Sequence, residues 1–147
     1  MATATPRPSD IDVPRALVRV MEEAGLKFVF GMPGGDTGRI FDALHDMPDP
    51  LAAAKHIRAS LADDDTFLLV EPNAADDVDG NLNPVGRVFY CASTVICVAH
   101  SKTESPKAAL GAQAGEARLT ALLNEAGFTR VRVATRTPFN MVIEARP

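Results

Sequence analysis

The sequence has few cysteines and no long apolar run. Cys91 and Cys97 are the two cysteines among 147 residues, and their spacing is not that of a CxxC pair. Thiols on an apolar helical segment are typically buried and reduced, so the sequence predicts a cytoplasmic location. No segment approaches the roughly 20 apolar residues that span a bilayer, and residues 1–8 contain no apolar signal-peptide core. We therefore expect a protein that does not enter the membrane.

An excess of positive charge is also missing. The formal net charge is −4, from 15 Lys and Arg against 19 Asp and Glu. Nucleic acids and anionic membrane surfaces favour a basic face, so we expect neither as a partner. Hydrophobic residues make up 46% and charged residues 23%, as in ordinary globular domains. A chain of this length can bury a core without a metal, so we expect one packed domain and no metal site.

The first 44 residues predict a small helix–strand–helix piece. Residues 1–10 are rich in Pro, Ser and Thr and are predicted to be a disordered tail. Apolar residues recur at helical spacing over residues 12–25, and residues 27–30 form a short apolar strand. A glycine-rich turn at residues 31–35 leads into a second helix, which we expect to continue to Leu44. His45 would then lie at a helix end and need not face Glu71.

The remainder of the chain, residues 45–147, predicts an α/β domain. Predicted helices cover residues 51–61, 84–97 and 115–126, and predicted strands cover residues 66–71, 129–136 and 139–146. The strand at 66–71 is continuously apolar, which suits the buried centre of a parallel sheet. The last two strands are joined across Thr137-Pro138, and so short a connection implies an antiparallel hairpin. This order of elements predicts parallel strands with an antiparallel edge.

Several spaced segments then resemble a known family. The segment Phe41–Pro50 resembles the LHDxxD signature of small-molecule O-methyltransferases. The later segments that resemble these enzymes are His56–Leu61, Leu68–Pro72, Asn81–Arg87, Ala109–Glu116 and Thr137–Asn140. Residues 41–147 are therefore similar to the C-terminal half of a class I S-adenosylmethionine-dependent methyltransferase. The family usually has a proline and a glycine where this chain has Asp63-Asp64-Asp65.

The resemblance implies a fold and a catalytic pair. It implies an incomplete Rossmann-like sheet, mostly parallel with an antiparallel C-terminal hairpin, and a small-molecule acceptor. By resemblance, His45 is the candidate general base and Glu71 is its orienting partner. A neutral imidazole can remove a hydroxyl proton near neutral pH, and a neighbouring carboxylate fixes its tautomer. The alternative is a surface or capping histidine.

The part of the family that binds the cofactor has no counterpart here. In the family, a glycine-rich turn and a ribose-binding carboxylate precede the LHD segment. Only 40 residues precede Phe41, and three βα units of roughly 30 residues each do not fit in them. S-adenosylmethionine is thus implied by resemblance only, and we expect a truncated protein that lacks independent activity. A working enzyme that rebuilds its pocket from residues 27–35 is the alternative.

Residues 11–44 resemble a second family. The segments Glu22–Leu26 and Phe28–Gly35 resemble the N-terminus of thiamine-diphosphate enzymes of the acetolactate synthase type. The chain therefore resembles a fusion of two fragments joined within residues 41–46, packed as one domain. Gly31, Gly34 and Gly35 are weak candidates for binding an anion such as the cofactor's phosphates, with a structural turn as the alternative.

Two further functions remain open from the sequence. The first is a fragment that binds thiamine diphosphate. The second is a dimerisation or interaction module, because a half-sheet leaves a strand edge exposed. A homodimer or a partner protein would cover that edge.

Overall fold

The computed structural model describes residues 44–103 and 105–147. Contacts between Cα atoms divide the chain after Phe41, and the described residues belong to the second unit, Asp42–Pro147. The predictions for the tail at residues 1–10 and for the helix–strand–helix piece at residues 11–43 lie outside the described residues.

Helices form where the sequence provides capping residues. Helix α1 spans Pro50–Ser60 and is capped by Asp49, whose Oδ1 accepts a hydrogen bond from the Ala52 N–H at 2.9 Å. Helix α2 spans Pro84–Ala92, and Asn83 Oδ1 accepts from the Gly86 N–H at 2.8 Å. The later helical segments are a π-helical segment at Ser93–Cys97, helix α3 at Val98–Ser101 and helix α4 at Gly115–Glu125. Two 3-10 turns, Leu44–Asp46 and Asp79–Asn81, precede α1 and α2.

The sheet of the described residues is small and entirely antiparallel. Its strands are β1 (Phe67–Pro72), β2 (Arg130–Arg136) and β3 (Asn140–Arg146), in the order β1-β3-β2. Both β1 and β2 pair antiparallel with β3. The prediction of an incomplete Rossmann-like sheet with mostly parallel strands is therefore wrong. Because β3 lies between β1 and β2, no two neighbouring strands run in the same direction.

The burial of β1 explains the error. Phe67 and Leu69 are buried, but Leu68 is 50% exposed and Val70 is 38% exposed. A continuous apolar run predicts a strand covered on both faces, whereas β1 is covered on one. The composition of a strand does not encode the direction of its neighbour. In contrast, β2 and β3 are joined by only three residues, 137–139, and they form the antiparallel hairpin that such a connection requires.

The core lies against one face of this sheet. The buried apolar residues of the sheet are Phe67, Leu69, Met141, Ile143 and Ala145, and the helices add Ala54, Ile57, Leu119 and Leu123. Phe67 stacks on Phe128, which follows α4, with ring centroids 5.8 Å apart. The helices predicted over residues 51–61 and 115–126 agree with α1 and α4 to within one residue at each end. No helix in the described part of the chain has the length and apolarity needed to cross a membrane.

The helix that begins at Pro84 buries a different face from the one its apolar residues predict. Val88, Val95 and Ile96 are each at least 60% exposed. The buried residues of this segment are small: Gly86, Ser93, Cys97 and Ser101. Contacts of these small residues fix the orientation of the helix. Ser93 Oγ accepts a hydrogen bond from the Ala112 N–H, Ser101 Oγ donates to Met47 O, and a Cβ on Gly86 would lie 1.9 Å from Asn81 O.

Candidate active site

The histidine of the LHD segment lies on a short turn that is held on several sides. Leu44 is 1% exposed and anchors the 3-10 turn in the core. The carbonyl of His45 accepts a hydrogen bond from the Gly111 N–H at 2.9 Å. The carbonyl of Pro48 accepts from the Ala108 N–H at 2.9 Å. The loop before α4 therefore fixes the backbone around His45.

Glu71 lies on the buried face of β1. It follows Phe67 and Leu69 at alternate positions and is paired in register with Met141. Because successive side chains of a strand point to opposite faces, Glu71 points towards the core. The residue is 1% exposed, which is rare for a carboxylate unless the carboxylate has a partner.

His45 and Glu71 are in direct contact. The distance between His45 Nδ1 and Glu71 Oε2 is 2.6 Å, and the side chains are 13% and 1% exposed. The sequence analysis left this contact open, because His45 at the end of the expected helix need not face Glu71. The part of that helix before Leu44 lies outside the described residues. Residues 44–46 form a 3-10 turn, and the core position of Leu44 directs the next side chain towards β1.

The two side chains change each other's proton affinity. Burial of the imidazole, the largest single effect, lowers the pKa of His45. Hydrogen bonds to Cys97 and Glu71, with the negative charges of both, outweigh burial and raise this pKa from 6.5 to about 10. Burial is also the main cause that raises the pKa of the Glu71 carboxyl, against the hydrogen bond and charge of His45. Both shifts mean that the pair retains a proton at neutral pH.

This arrangement can support acid–base chemistry. When Glu71 accepts a hydrogen bond at Nδ1, the tautomer of His45 is fixed and its second ring nitrogen can take a proton. The carboxylate then stabilises the imidazolium that forms. Among the described residues, the buried Oε1 atom of Glu71 has no hydrogen-bond partner.

Cys97 also belongs to the site, although the sequence predicted only a buried thiol. The residue is 8% exposed, and it is among the groups that raise the pKa of His45. The helical spacing of Ser93, Cys97 and Ser101 is the sequence signal that indicates a shared small, polar face. Cys91 was expected to be buried in the same way, but it is exposed. It lies on the side of the helix away from Ser93, Cys97 and Ser101.

Other polar residues lie apart from the pair. The remaining described histidines, His56 and His100, are exposed. Asp49 caps α1 and does not contact the pair. The predicted anion-binding glycines, Gly31, Gly34 and Gly35, lie outside the described residues. Among residues 44–103 and 105–147, no group of three His, Cys, Asp or Glu side chains could hold a metal ion.

A polar pocket lies beyond the end of β1. It has a volume of about 370 Å³ and does not include His45 or Glu71. Its polar lining comes from Asn73, Asp76, Asn81, Asn83, Glu116 and Arg136. These groups already bond within the protein: Arg136 pairs with Glu116 and Asn73, and Asp76 Oδ1 accepts from the Ala117 N–H.

The residues of this pocket do not fit S-adenosylmethionine. The methionine carboxylate of that molecule needs free hydrogen-bond donors, but the guanidinium of Arg136 is occupied by Glu116 and Asn73. Asp76 and Glu116 add negative charge to the same space. The lining of this pocket therefore does not match the groups of the methyl donor.

No family model matches the chain, and no curated protein matches it significantly.

Proposed function

We propose that this chain is a methyltransferase-like protein whose His45–Glu71 pair deprotonates a small-molecule hydroxyl for S-adenosylmethionine-dependent methylation. The contact of 2.6 Å between His45 Nδ1 and Glu71 Oε2 supports this proposal most strongly. The pair joins two segments, Phe41–Pro50 and Leu68–Pro72, that each resemble the O-methyltransferases. We also propose that the protein alone does not methylate, because the sequence contains no GxGxxG turn to hold the donor.

Each residue of the pair has one task in this chemistry. A hydroxyl oxygen becomes a better nucleophile as its proton leaves, and His45 takes that proton on the ring nitrogen that does not face Glu71. Glu71 holds Nδ1 and balances the positive charge that develops on the ring. General-base catalysis of this kind contributes about 10²–10⁴-fold to a rate. The methyl group would be supplied by S-adenosylmethionine.

A small phenol provides a direct test of the acceptor role. We expect a panel of simple phenols to shift the ring resonances of His45 in NMR spectra, with His56 as the internal control. The same phenols should leave the spectrum of a His45→Gln variant unchanged around the site. If no phenol perturbs His45 in the folded protein, the acceptor role is wrong.

Calorimetry tests the missing donor site. We expect no saturable binding of S-adenosylmethionine at millimolar concentration and no methylated phenol in mass spectra. Micromolar binding of the donor, with turnover that is lost in His45→Gln, would show an active enzyme and would contradict the proposed lack of independent activity.

A dimerisation module is the second candidate function. Val88, Val95 and Ile96 are exposed on one side of the helical segment from Pro84 to Ser101, and an exposed apolar patch of this kind favours association. A second copy of the chain is the occupant we propose, since the same patch on two copies is self-complementary. Light scattering should then show a dimer that Val95→Asp dissociates. A monomer at all concentrations would exclude this function.

The proposal also places the chain in the cytoplasm. Cys91 and Cys97 are both free thiols, which is typical of proteins in a reducing compartment. Fractionation of expressing cells, with free-thiol labelling of each fraction, tests the location. A disulfide-linked form outside the cytoplasm would contradict it.

A further inference from the structure

The two edges of the described sheet differ in how they are protected. The edges are β1 and β2, because β3 lies between them. β2 carries the exposed residues Arg130, Arg132 and Arg136, and its pairing with β3 is interrupted between Val133 and Thr135. Charged side chains and irregular pairing both prevent a further strand from joining an edge. The β2 edge is therefore protected.

The β1 edge has neither feature. β1 pairs with β3 in continuous register, and its outward-facing residues Leu68 and Val70 are 50% and 38% exposed. In the part of the chain that the structure describes, no strand pairs with the other edge of β1. Half of the backbone groups of an edge strand point away from its neighbour and can pair with an added strand. Pro72 has no N–H group, so this template ends before it.

Acidic residues flank the β1 edge at both ends. Asp63 and Asp64 are exposed in the turn before the strand, and the exposed residues Asp76, Asp77 and Asp79 follow it. No Lys, Arg or His occurs from residue 59 to residue 86. A surface with charge of one sign attracts partners of the opposite sign. The edge that can accept a strand therefore favours a basic one.

The arginines of the neighbouring strands do not cancel this negative charge. Arg136 reaches Asn73 just after β1, but its guanidinium is also paired with Glu116. Arg146, at the end of β3, is paired with Glu144. Within residues 44–103 and 105–147, none of the aspartates that flank β1 forms a salt bridge. Their charge is therefore available to a partner.

We propose that the free edge of β1 binds an extended, basic peptide segment of a partner protein, which joins the sheet as an additional strand. Main-chain hydrogen bonds to β1 hold the segment, and its alternate apolar side chains cover Leu68 and Val70. Lys or Arg residues at its two ends lie beside the aspartates. This inference does not rest on the proposed methylation, because it requires neither a methyl donor nor a hydroxyl acceptor.

The length of the segment follows from the length of the strand. The template from Phe67 to Glu71 extends over about 17 Å, at about 3.3 Å for each residue. A segment of about ten residues covers this distance and reaches the aspartates at both ends. Because both ends of β1 are acidic, the charges favour neither direction of the added strand. The peptide KRTVTVTVRK, with capped termini, has the required alternation and charge.

This peptide tests the edge on the wild-type chain. We expect KRTVTVTVRK to bind at least tenfold more tightly than EDTVTVTVDE, in which the charges are reversed. We expect the same advantage over KRTPTPTPRK, because its prolines cannot donate main-chain hydrogen bonds. Calorimetry at low salt measures the three affinities. If the basic peptide binds no more tightly than either of the other two, the proposal is overturned.

Hydrogen exchange locates the bound peptide. We expect the β1 amides that face away from β3 to exchange at least fivefold more slowly in the complex, while the amides of β2 are unchanged. Protection confined to another part of the chain would contradict the proposal. Protection of β1 without peptide, increasing with protein concentration, would show that a second copy of the chain occupies the edge and would also overturn it.

Substitutions on the surface separate the edge from general attraction between charges. Val70→Lys places a charge on the β1 edge, and Val95→Lys makes the same change at an exposed residue of the π-helical segment. We expect Val70→Lys to weaken the binding of KRTVTVTVRK at least tenfold and Val95→Lys to change it less than twofold. Thermal unfolding checks that both variants are folded. If folded Val70→Lys binds like the wild type, the edge is not the site. Failure of donor or phenol binding would leave this result unaffected.

Discussion

Replacing Glu71 is the most direct perturbation of the candidate site. The carboxylate is 1% exposed and holds His45 through a contact of 2.6 Å. Glu71→Ala leaves the buried imidazole without this partner, and breaking a buried ion pair costs about 3–5 kcal/mol. Glu71→Gln keeps an acceptor of similar size but removes the charge, so we expect a loss of about 1–3 kcal/mol. Urea unfolding at pH 7 measures both values.

The same substitutions should change the proton affinity of His45. With the charge of Glu71 removed, burial of the imidazole is opposed by fewer favourable effects. We therefore expect the pKa of His45 in Glu71→Gln to fall from about 10 towards the ordinary value of 6.5. An NMR titration of the histidine rings measures it, and the exposed rings of His56 and His100 serve as internal controls in the same spectra.

A conservative substitution on the surface provides the matched control for stability. Glu125 is exposed at the end of α4, and Glu125→Gln should change the free energy of unfolding by less than about 0.5 kcal/mol. The reasoning fails if Glu71→Ala is as stable as this control. It also fails if the ring of His45 titrates identically with and without the carboxylate.

Three further outcomes test the fold and the site. Because the pKa of His45 rises from 6.5 to about 10 on folding, the folded state binds more protons than the unfolded state between these pH values. The free energy of unfolding should therefore fall as the pH rises from 6.5 to about 10. In His45→Gln this dependence of stability on pH should be weaker. Leu123→Ala, at a residue with 0% exposure, should cost about 2–5 kcal/mol in urea unfolding, whereas Leu82→Ala, at 63% exposure, should cost far less. Gly111 has a φ of 76°, and a Cβ there would lie 2.6 Å from Ser93 Oγ; Gly111→Ala should therefore cost about 1–3 kcal/mol and lower the Tm in calorimetry.

Local signals account for the elements that the sequence predicted well. Asp49 and Asn83 cap their helices through backbone groups only three residues away, and Pro50 and Pro84 occupy the first helical positions. A cap depends on residues within one turn, so the sequence contains the whole interaction. The predicted starts of these helices therefore agree with the structure to within one residue.

The direction of strand pairing could not be predicted in this way. β1 has the composition of a central parallel strand, but it pairs antiparallel with β3, more than 65 residues later in the chain. The partner is chosen by the packing of the whole sheet and not by the residues of β1. Exposure of Leu68 and Val70 shows how far a local apolar pattern can mislead about the number of covered faces.

The candidate site depends both on local sequence signals and on the packing of the whole domain. Spacing alone does not join His45 to Glu71, which lies 26 residues later; the pair was suggested only by resemblance to the methyltransferases. Cys97 was missed because the helix was oriented by its large apolar residues. The helix instead buries Gly86, Ser93 and Ser101, whose small size and hydrogen bonds allow close approach.

The role proposed for His45 depends on pH. Removing a proton from a hydroxyl requires a neutral imidazole. With a pKa of about 10, the imidazolium of His45 predominates at neutral pH, so the capacity of His45 to deprotonate an acceptor increases as the pH rises towards that value. Glu71 therefore has two opposing effects, since it orients the ring for proton transfer and also raises the pKa of His45.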